Sequence, residues 1–272
     1  GALAAMTAID IEHSNGNGTA GINALGAYGM AVVTAVVAQN TQAVRMVSPL
    51  TPELVQAQLE AVFEDVTVAA VKIGMVANAG IAEAIAEVLA RHPPPFVVFD
   101  PVMAASTHKR LMNESDLERI RTVLLPQVSL LTPNLKEAAR LLGIAQPVDE
   151  AGMHACLPAL QALGVPNVLL KGGHLADDTP DAPESTDLLA TPEGVIRLSA
   201  PRIATRHGHG TGCTLSSAIA SLRPRRATWL EAVRDAKNYL TGAIEHADAL
   251  GVGHGHGPVH HFHRLWAQND ED

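Results

Sequence analysis

Residues 128–142 read VSLLTPNLKEAARLL. Val128, Leu130 and Leu131 make a short apolar run, Pro133 ends it, and Asn134 with Glu137 three residues later has the form of a helix N-cap. A run this short, rich in Val and Leu and bounded by turn residues, suits a strand buried on both faces. Asn134–Leu142 then continues as a helix. The same unit recurs outward from here. Apolar runs of the same kind occur in MAVVTAVVAQN (30–40), VTVAAVKIGM (66–75), FVVFDPVM (96–103) and NVLLKGGH (167–174). Helical segments lie between them at Thr51–Asp65, Ala79–Arg91, Glu114–Leu124 and Glu150–Leu163. Alternating strand and helix predicts right-handed crossovers, hence an α/β sandwich whose mainly parallel central sheet carries helices on both faces. The rhythm changes at TDLLATPEGVIRLSAPRI (186–203), two short strands about a Pro-Glu-Gly turn that form an antiparallel edge. Two helices follow, Gly212–Leu222 and Thr228–Ala249. ADDTPDAPES (176–185) reads as a flexible loop, and 254–272 as a His-rich tail on a single domain spanning 1–272.

Bulk composition narrows the partners. With 272 residues, 47% of them hydrophobic and 17% charged, the chain can bury a sizeable core. Its net charge of −9 argues against a nucleic acid or an anionic membrane surface as partner and points to a small molecule. No apolar run reaches the roughly 18 residues of a membrane span, and the start GALAAMTAID lacks a basic segment followed by a long apolar one. The reading is a cytoplasmic protein. Cys156 and Cys213 sit in unlike contexts and make no disulfide framework.

Each apolar run ends in chemically capable residues: Gln39 and Asn40, Met75, Asp100, Asn134, and Lys171 to His174. Ligands of open parallel sheets bind in the crevice outside the carboxyl ends of the strands, so these positions share one address. Singly, each has a plainer reading. Asp100 before Pro101 is an ordinary turn residue, Gln39 a strand-end cap, and a methionine is more often core than ligand contact.

HGHGTGCTLSS (207–217) places glycines at 208, 210 and 212 before a helix of small residues. The helix start aims free N–H donors and a positive dipole end forward, which makes an anion hole, and the same field favours the thiolate of Cys213. A small packed cysteine in a glycine turn is the competing explanation. The stretch lacks the Gly-Lys-Ser/Thr of a Walker loop, so backbone amides would be the main phosphate ligands.

Taken together and in order, ALGAYGM (24–30), TAVVAQNTQAV (34–44), VKIGMV (71–76), FDPVMAAS (99–106), LTPNLKEA (131–138), VLLKGGH (168–174), HGTGCTLSSAIAS (209–221) and AKNYLTGAIEHA (236–247) resemble the motifs of bacterial hydroxymethylpyrimidine/phosphomethylpyrimidine kinases of thiamine biosynthesis. These are ribokinase-like enzymes, and the resemblance runs from about Ala24 to Ala249, with VGHGHGPVHHFH (252–263) similar to the tail of bacterial members. The resemblance implies a ribokinase-like three-layer sandwich, a homodimer, and ATP with Mg2+. It implies that Gly210, Thr211 and Gly212 hold the transferring phosphoryl group, with Cys213 as base for the substrate's hydroxymethyl group. Lys171 would meet the nucleotide phosphates, and Asn134 and Glu137 would support metal and phosphate binding, with Asp100 as a further acidic group beside the metal. A plain capping box explains Asn134 and Glu137 equally well. Gln39 would read the pyrimidine, with Met75 and Met103 as apolar walls.

One stretch departs from that pattern. The family usually has a Gly-Ser-Asp element, then a glycine-rich loop, then a helix opening Gln-Ala-Asp that supplies an acidic substrate contact. Here IDIEHS is followed by a shortened stretch, Asn15–Ala24, which runs straight into ALGAYGM. Asp10 and Glu12 are the carboxylates nearby, and nothing in their spacing assigns them that role. Three other readings follow: a pyridoxal kinase, which also phosphorylates a hydroxymethyl on a heteroaromatic ring; a catalytically impaired pyrimidine-binding protein, suggested by the shortened stretch; and a thiol hydrolase pairing Cys213 with His209, for which no orienting acid is evident. The tail histidines lack a defined metal-ligand spacing, and LRPRRA (222–227) reads as a solvated basic turn.

Overall fold

A computed structural model describes residues 6–14, 16–103, 113–173, 175 and 184–266. His174, most of ADDTPDAPES and the end of FDPVMAAS lie outside the described residues. The central sheet has eight strands, β1 (Thr7–Glu12), β2 (Tyr28–Val33), β5 (Ala70–Ile73), β6 (Val97–Phe99), β7 (Leu130–Leu131), β8 (Asn167–Lys171), β9 (Glu184–Thr191) and β10 (Gly194–Pro201), in the order β10-β9-β8-β7-β6-β5-β1-β2. From β2 to β8 every pairing is parallel; β9 and β10 pair antiparallel at the predicted edge, with Pro192 and Glu193 in their turn.

Helices cover both faces because successive residues of each strand point opposite ways. Ile9, Ile11, Val71, Ile73, Phe99, Leu131 and Val168 pack with α2 (Pro52–Phe63), α3 (Ala79–Arg91), α4 (Glu114–Val123), α5 (Leu135–Leu142) and α6 (Glu150–Gln161). Ala8, Ala70, Val98, Leu130 and Leu169 pack on the other side with α1 (Asn17–Ala24), α7 (Thr211–Leu222) and α8 (Trp229–Glu245). Each fully buried aliphatic side chain adds about 1.5–3 kcal/mol, so the two apolar layers fix strand register.

Helix starts follow the sequence. Thr51, Asn78, Asn113, Asn134, Asp149 and Thr228 cap α2, α3, α4, α5, α6 and α8 with their side chains. In contrast, α1 and α7 begin at Gly16 and Gly210, both left-handed, without a side-chain cap. A left-handed start is open to glycine and strained for other residues.

Two expectations are corrected. The run 30–40 is not one buried strand: Thr34, whose hydroxyl donates to Met75 O at 2.8 Å, breaks it into β2 and β3 (Ala35–Gln39). β3 pairs antiparallel with β4 (Val44–Pro49) in a separate hairpin whose outer residues, such as Val36 and Met46, are exposed. Continuous apolarity could not separate a doubly buried strand from one shared between two sheets. Nor is LRPRRA simply solvated, since the Arg223 guanidinium lies 4.3 Å from the Phe96 ring centroid and 4.9 Å from that of Trp229.

Candidate active site

The carboxyl ends of β1, β5, β6, β7 and β8 converge on the N-terminus of α7. At its centre Lys171, the last residue of β8, holds Asp100 just past β6, with Nζ 2.7 Å from Oδ1. Thr132 reaches the same oxygen at 3.3 Å. A Cβ at Gly212 would lie 3.3 Å from both Asp100 Oδ2 and Lys171 Nζ, so the uncapped turn rests directly on this pair. Four of the predicted positions therefore meet: Gly212, Cys213, Asp100 and Lys171.

Asn134 and Glu137 join them from α5. Asn134 is bridged to Lys171, and the two side chains form the reciprocal capping box, with Glu137 N donating to Asn134 Oδ1 at 2.9 Å and Asn134 N to Glu137 Oε2 at 2.8 Å. The structural reading of this pair is thus fulfilled. Desolvation, with the nearby Asp100 charge adding to it and Lys171 opposing it, raises the Glu137 carboxyl to about 7. Lys171 is in turn held cationic by Asp100 and Glu137 against desolvation.

Behind the turn lies a cluster that sequence reading did not assemble. Asp10 and Glu12 alternate with Ile9 and Ile11 on β1, which turns both carboxylates towards the α7 face, and Asp10 stands in register with Lys72 of β5. Lys72 Nζ is 3.0 Å from Asp10 Oδ1 and also contacts Glu12 Oε2, and all three residues are buried. Thr19 of α1 donates to Asp10 at 3.2 Å. Burial raises Asp10 to about 6 even though Lys72 lowers it. The signal available in sequence was charge parity: acids at 10 and 12 on one strand and a lysine at 72 within another apolar run.

This cluster overturns one expectation about Cys213. The helix terminus was expected to depress its thiol, but desolvation, reinforced by Glu12, Asp100 and Asp10, pushes the thiol well up, with Lys72 opposing. The dipole of one turn is outweighed by three carboxylates in a poorly solvated setting.

Beyond Lys171 a cavity of about 440 Å³ opens between β9, β10, α7 and α8, lined by Asp187, Arg202, Thr211, Lys237 and Thr241 among others. Asp187 organises it: Oδ1 accepts from Gly172 N at 3.0 Å while Oδ2 takes Lys237 Nζ at 2.5 Å. Neither Asp187 nor Lys237 was singled out from sequence, because they come from different elements and no spacing links them.

The expected pyrimidine contacts are distributed differently. Gln39 ends β3 beside a bulge at Ala38/Gln39, on the hairpin and not on the central sheet. Met75 and Met103, each 4% exposed, belong to the apolar core on the α2–α6 face. A chain with this sheet order, an uncapped glycine turn at the start of α7 and a cavity of about 440 Å³ beside it has counterparts among known proteins. The family model described as phosphomethylpyrimidine kinase matches residues 19–260. The hydroxymethylpyrimidine/phosphomethylpyrimidine kinase of Salmonella typhimurium is 49% identical over 268 residues, covering 96% of this chain and 99% of the relative. Among solved structures, phosphomethylpyrimidine kinase from Clostridium difficile 630 aligns at 34% identity with a TM-score of 0.74 over 88% of this chain and 99% of that one. Pyridoxal kinase from Staphylococcus aureus in complex with AMP-PCP aligns at 25% identity with a TM-score of 0.85 over 97% and 96%. The sheet is accordingly the ribokinase-like one, and the chain belongs to the phosphomethylpyrimidine kinase family.

Proposed function

We propose that this chain transfers the γ-phosphoryl group of ATP to the hydroxymethyl group of 4-amino-5-hydroxymethyl-2-methylpyrimidine, and then a second phosphoryl group to the resulting monophosphate, in thiamine biosynthesis. The observation that carries the reading is the contact of the uncapped α7 turn with the Lys171–Asp100 pair at the mouth of the cavity. ATP occupies that cavity, with its phosphates running past Lys171 to the amides of Gly210, Thr211, Gly212 and Cys213. Phosphoryl transfer needs little covalent help from the protein; amides and a lysine that match the charge spreading over the phosphoryl oxygens supply most of the catalysis.

Two hard carboxylate ligands suit Mg2+, which usually takes one or two such groups and completes its shell with phosphate oxygens and water. Asp100 and Glu137 fit by their chemistry: two carboxylates that both face Lys171 at the α7 turn, with the Glu137 carboxyl raised chiefly by burial. Asp100 and Glu137 would hold Mg2+, which when bound would neutralise part of the phosphate charge. The thiolate form of Cys213 accepts the hydroxyl proton. Because its thiol is held up by its surroundings, the ionised form grows with pH, and with it the rate. Gln39, at the end of β3 on the hairpin, reads the pyrimidine edge, with Met75 and Met103 of the core as apolar walls.

Pyridoxal is the second substrate to test, since a pyridoxal kinase shares the fold closely. The protein acts in the cytoplasm, where ATP is plentiful; no helix among the described residues is long and apolar enough to cross a membrane. It works as a homodimer, for which exposed Tyr28 on edge strand β2 and Val36 and Met46 on the hairpin offer an apolar surface. The decisive experiment offers the pyrimidine, its monophosphate and pyridoxal separately with ATP and Mg2+, and identifies products by mass. Pyrimidine mono- and diphosphate support the reading. Binding of the pyrimidine without turnover replaces it with a binding protein, and would trace the loss to the eight-residue α1.

A further inference from the structure

The His-rich tail has no defined metal-ligand spacing in sequence. In the structure it is a strap that joins the β3–β4 hairpin to the segment leading into α7 and to the first turn of that helix. Beginning at Gly253, it first meets the tip of the β3–β4 hairpin: Gly255 N donates to Thr41 Oγ1 at 3.1 Å and His256 N to Thr41 O at 2.8 Å. It next runs beside the segment leading into the α7 turn. His256 Nδ1 lies 2.9 Å from Arg206 O, Gly257 N donates to His207 Nδ1 at 2.9 Å, and His209 N donates to Gly257 O at 3.1 Å. It ends in the first turn of α7, where His261 Nε2 is 3.0 Å from the hydroxyl of Thr214, the residue after Cys213, and His261 O accepts from Tyr239 at 2.8 Å.

The closeness of the first contact is built into the sequence. A Cβ at Gly253 would overlap the Thr41 side chain, and one at Gly255 would overlap Thr41 O. Glycine there lets two backbones approach as no other residue would. At the other end of the hairpin tip, Asn40 Oδ1 accepts from both Gln42 N and Ala43 N at 2.9 Å, so the turn holding Thr41 is itself rigid. Gln39 stands two residues from Thr41, beside a bulge, and bulges re-aim the side chains next to them.

We propose that Thr41 is a positioning residue: gripped by the Gly253–His261 strap, it fixes the hairpin that carries Gln39 in relation to the turn that carries Cys213. The inference rests on the reading that Gln39 meets the pyrimidine. The strap gives the acceptor substrate a fixed distance to the phosphoryl site, although the hairpin shares no strand with the central sheet.

Thr41→Val keeps the shape and removes the hydroxyl that Gly255 bonds. Losing one such bond should raise the pyrimidine KM about three- to tenfold, with the ATP KM and kcat changed by less than about twofold. Thr41→Ser, which keeps the acceptor, should restore the wild-type KM. Gly255→Ala, which forces the backbones apart, should give the same split with a larger KM change. Coupling is read in a double-mutant cycle, where Thr41→Val should add little once Gln39→Ala is present. An unchanged pyrimidine KM in Thr41→Val and Gly255→Ala, or equal increases for pyrimidine and ATP, overturns the positioning role. If Gln39→Ala raises the pyrimidine KM while Thr41→Val does not, the strap inference alone falls. If Gln39→Ala leaves that KM unchanged, the assignment of Gln39 falls and takes this inference with it.

Discussion

Replacing Lys72 by methionine tests whether the buried cluster is held by charge balance. Lys72 stands between Asp10 and Glu12, with all three side chains at most 3% exposed. Methionine fills similar volume without charge and leaves two carboxylates buried without their cation. Removing one partner of a buried ion pair costs about 3–5 kcal/mol. At roughly 2 °C per kcal/mol for a chain of this size, thermal melts near pH 7.5 should fall by about 6–10 °C. The sign of the pH dependence follows from Asp10. Its carboxyl is raised to about 6 from 3.8, so it binds its proton more tightly folded than unfolded; its contribution to stability is present below 3.8 and is lost as pH rises through about 6. Lys72 lowers this pKa, and removing it moves Asp10 further up. The variant's deficit should therefore shrink on going from about pH 7.5 to about pH 5, and Asp10→Asn with Glu12→Gln in the same chain should recover most of it at the higher pH. A variant that melts with wild type at pH 7.5, or whose deficit is the same at both pH values, would refute the charge-balance account.

Cys213→Ser should bind ATP normally and lose on the order of 10² to 10⁴-fold in turnover, the usual span for general base removal; a near-normal rate removes the role. In the wild type, kcat/KM for the pyrimidine should climb with pH beyond the ordinary thiol range, and Cys213→Asp should move that rise to acid pH. Lys171→Met should lower kcat/KM for ATP by about 10- to 100-fold, as expected for lost charge-assisted contacts, and leave the pyrimidine KM little changed in steady-state assays. Glu137→Gln keeps the capping acceptor, so its melting temperature should stay near wild type while the Mg2+ needed for half-maximal turnover rises; a large loss of stability without a change in Mg2+ demand would make Glu137 a cap and nothing more.

The alternation of runs and helices was legible because a doubly buried strand and an amphipathic helix leave different periods in sequence. Helix bounds such as Ala79–Arg91 matched the structure because Asn78 supplies a local cap. The run 30–40 divides between two sheets, which its apolarity does not show, because apolarity records burial and not which sheet buries it. Gly210 to Cys213, Asp100 and Lys171 could be named as candidates because each sits at or just past the end of a strand or at a helix start, where topology points to ligand. Asp10, Glu12 and Lys72 could not be assembled, being 60 residues apart at the Glu12–Lys72 contact and joined only by strand register.

The sequence by itself determined the layered α/β plan, the antiparallel edge, the glycine turn at α7 and the family, all of which depend on local pattern and ordered motifs. Tertiary structure alone decided the burial and carboxylate neighbours that raise the Cys213 thiol, the grip of Asp187 on Lys237 and the path of the tail over the hairpin. The physical reason is range. Periodicity and capping act over a few residues, whereas desolvation and buried charge depend on which distant segments fold into the same few ångströms.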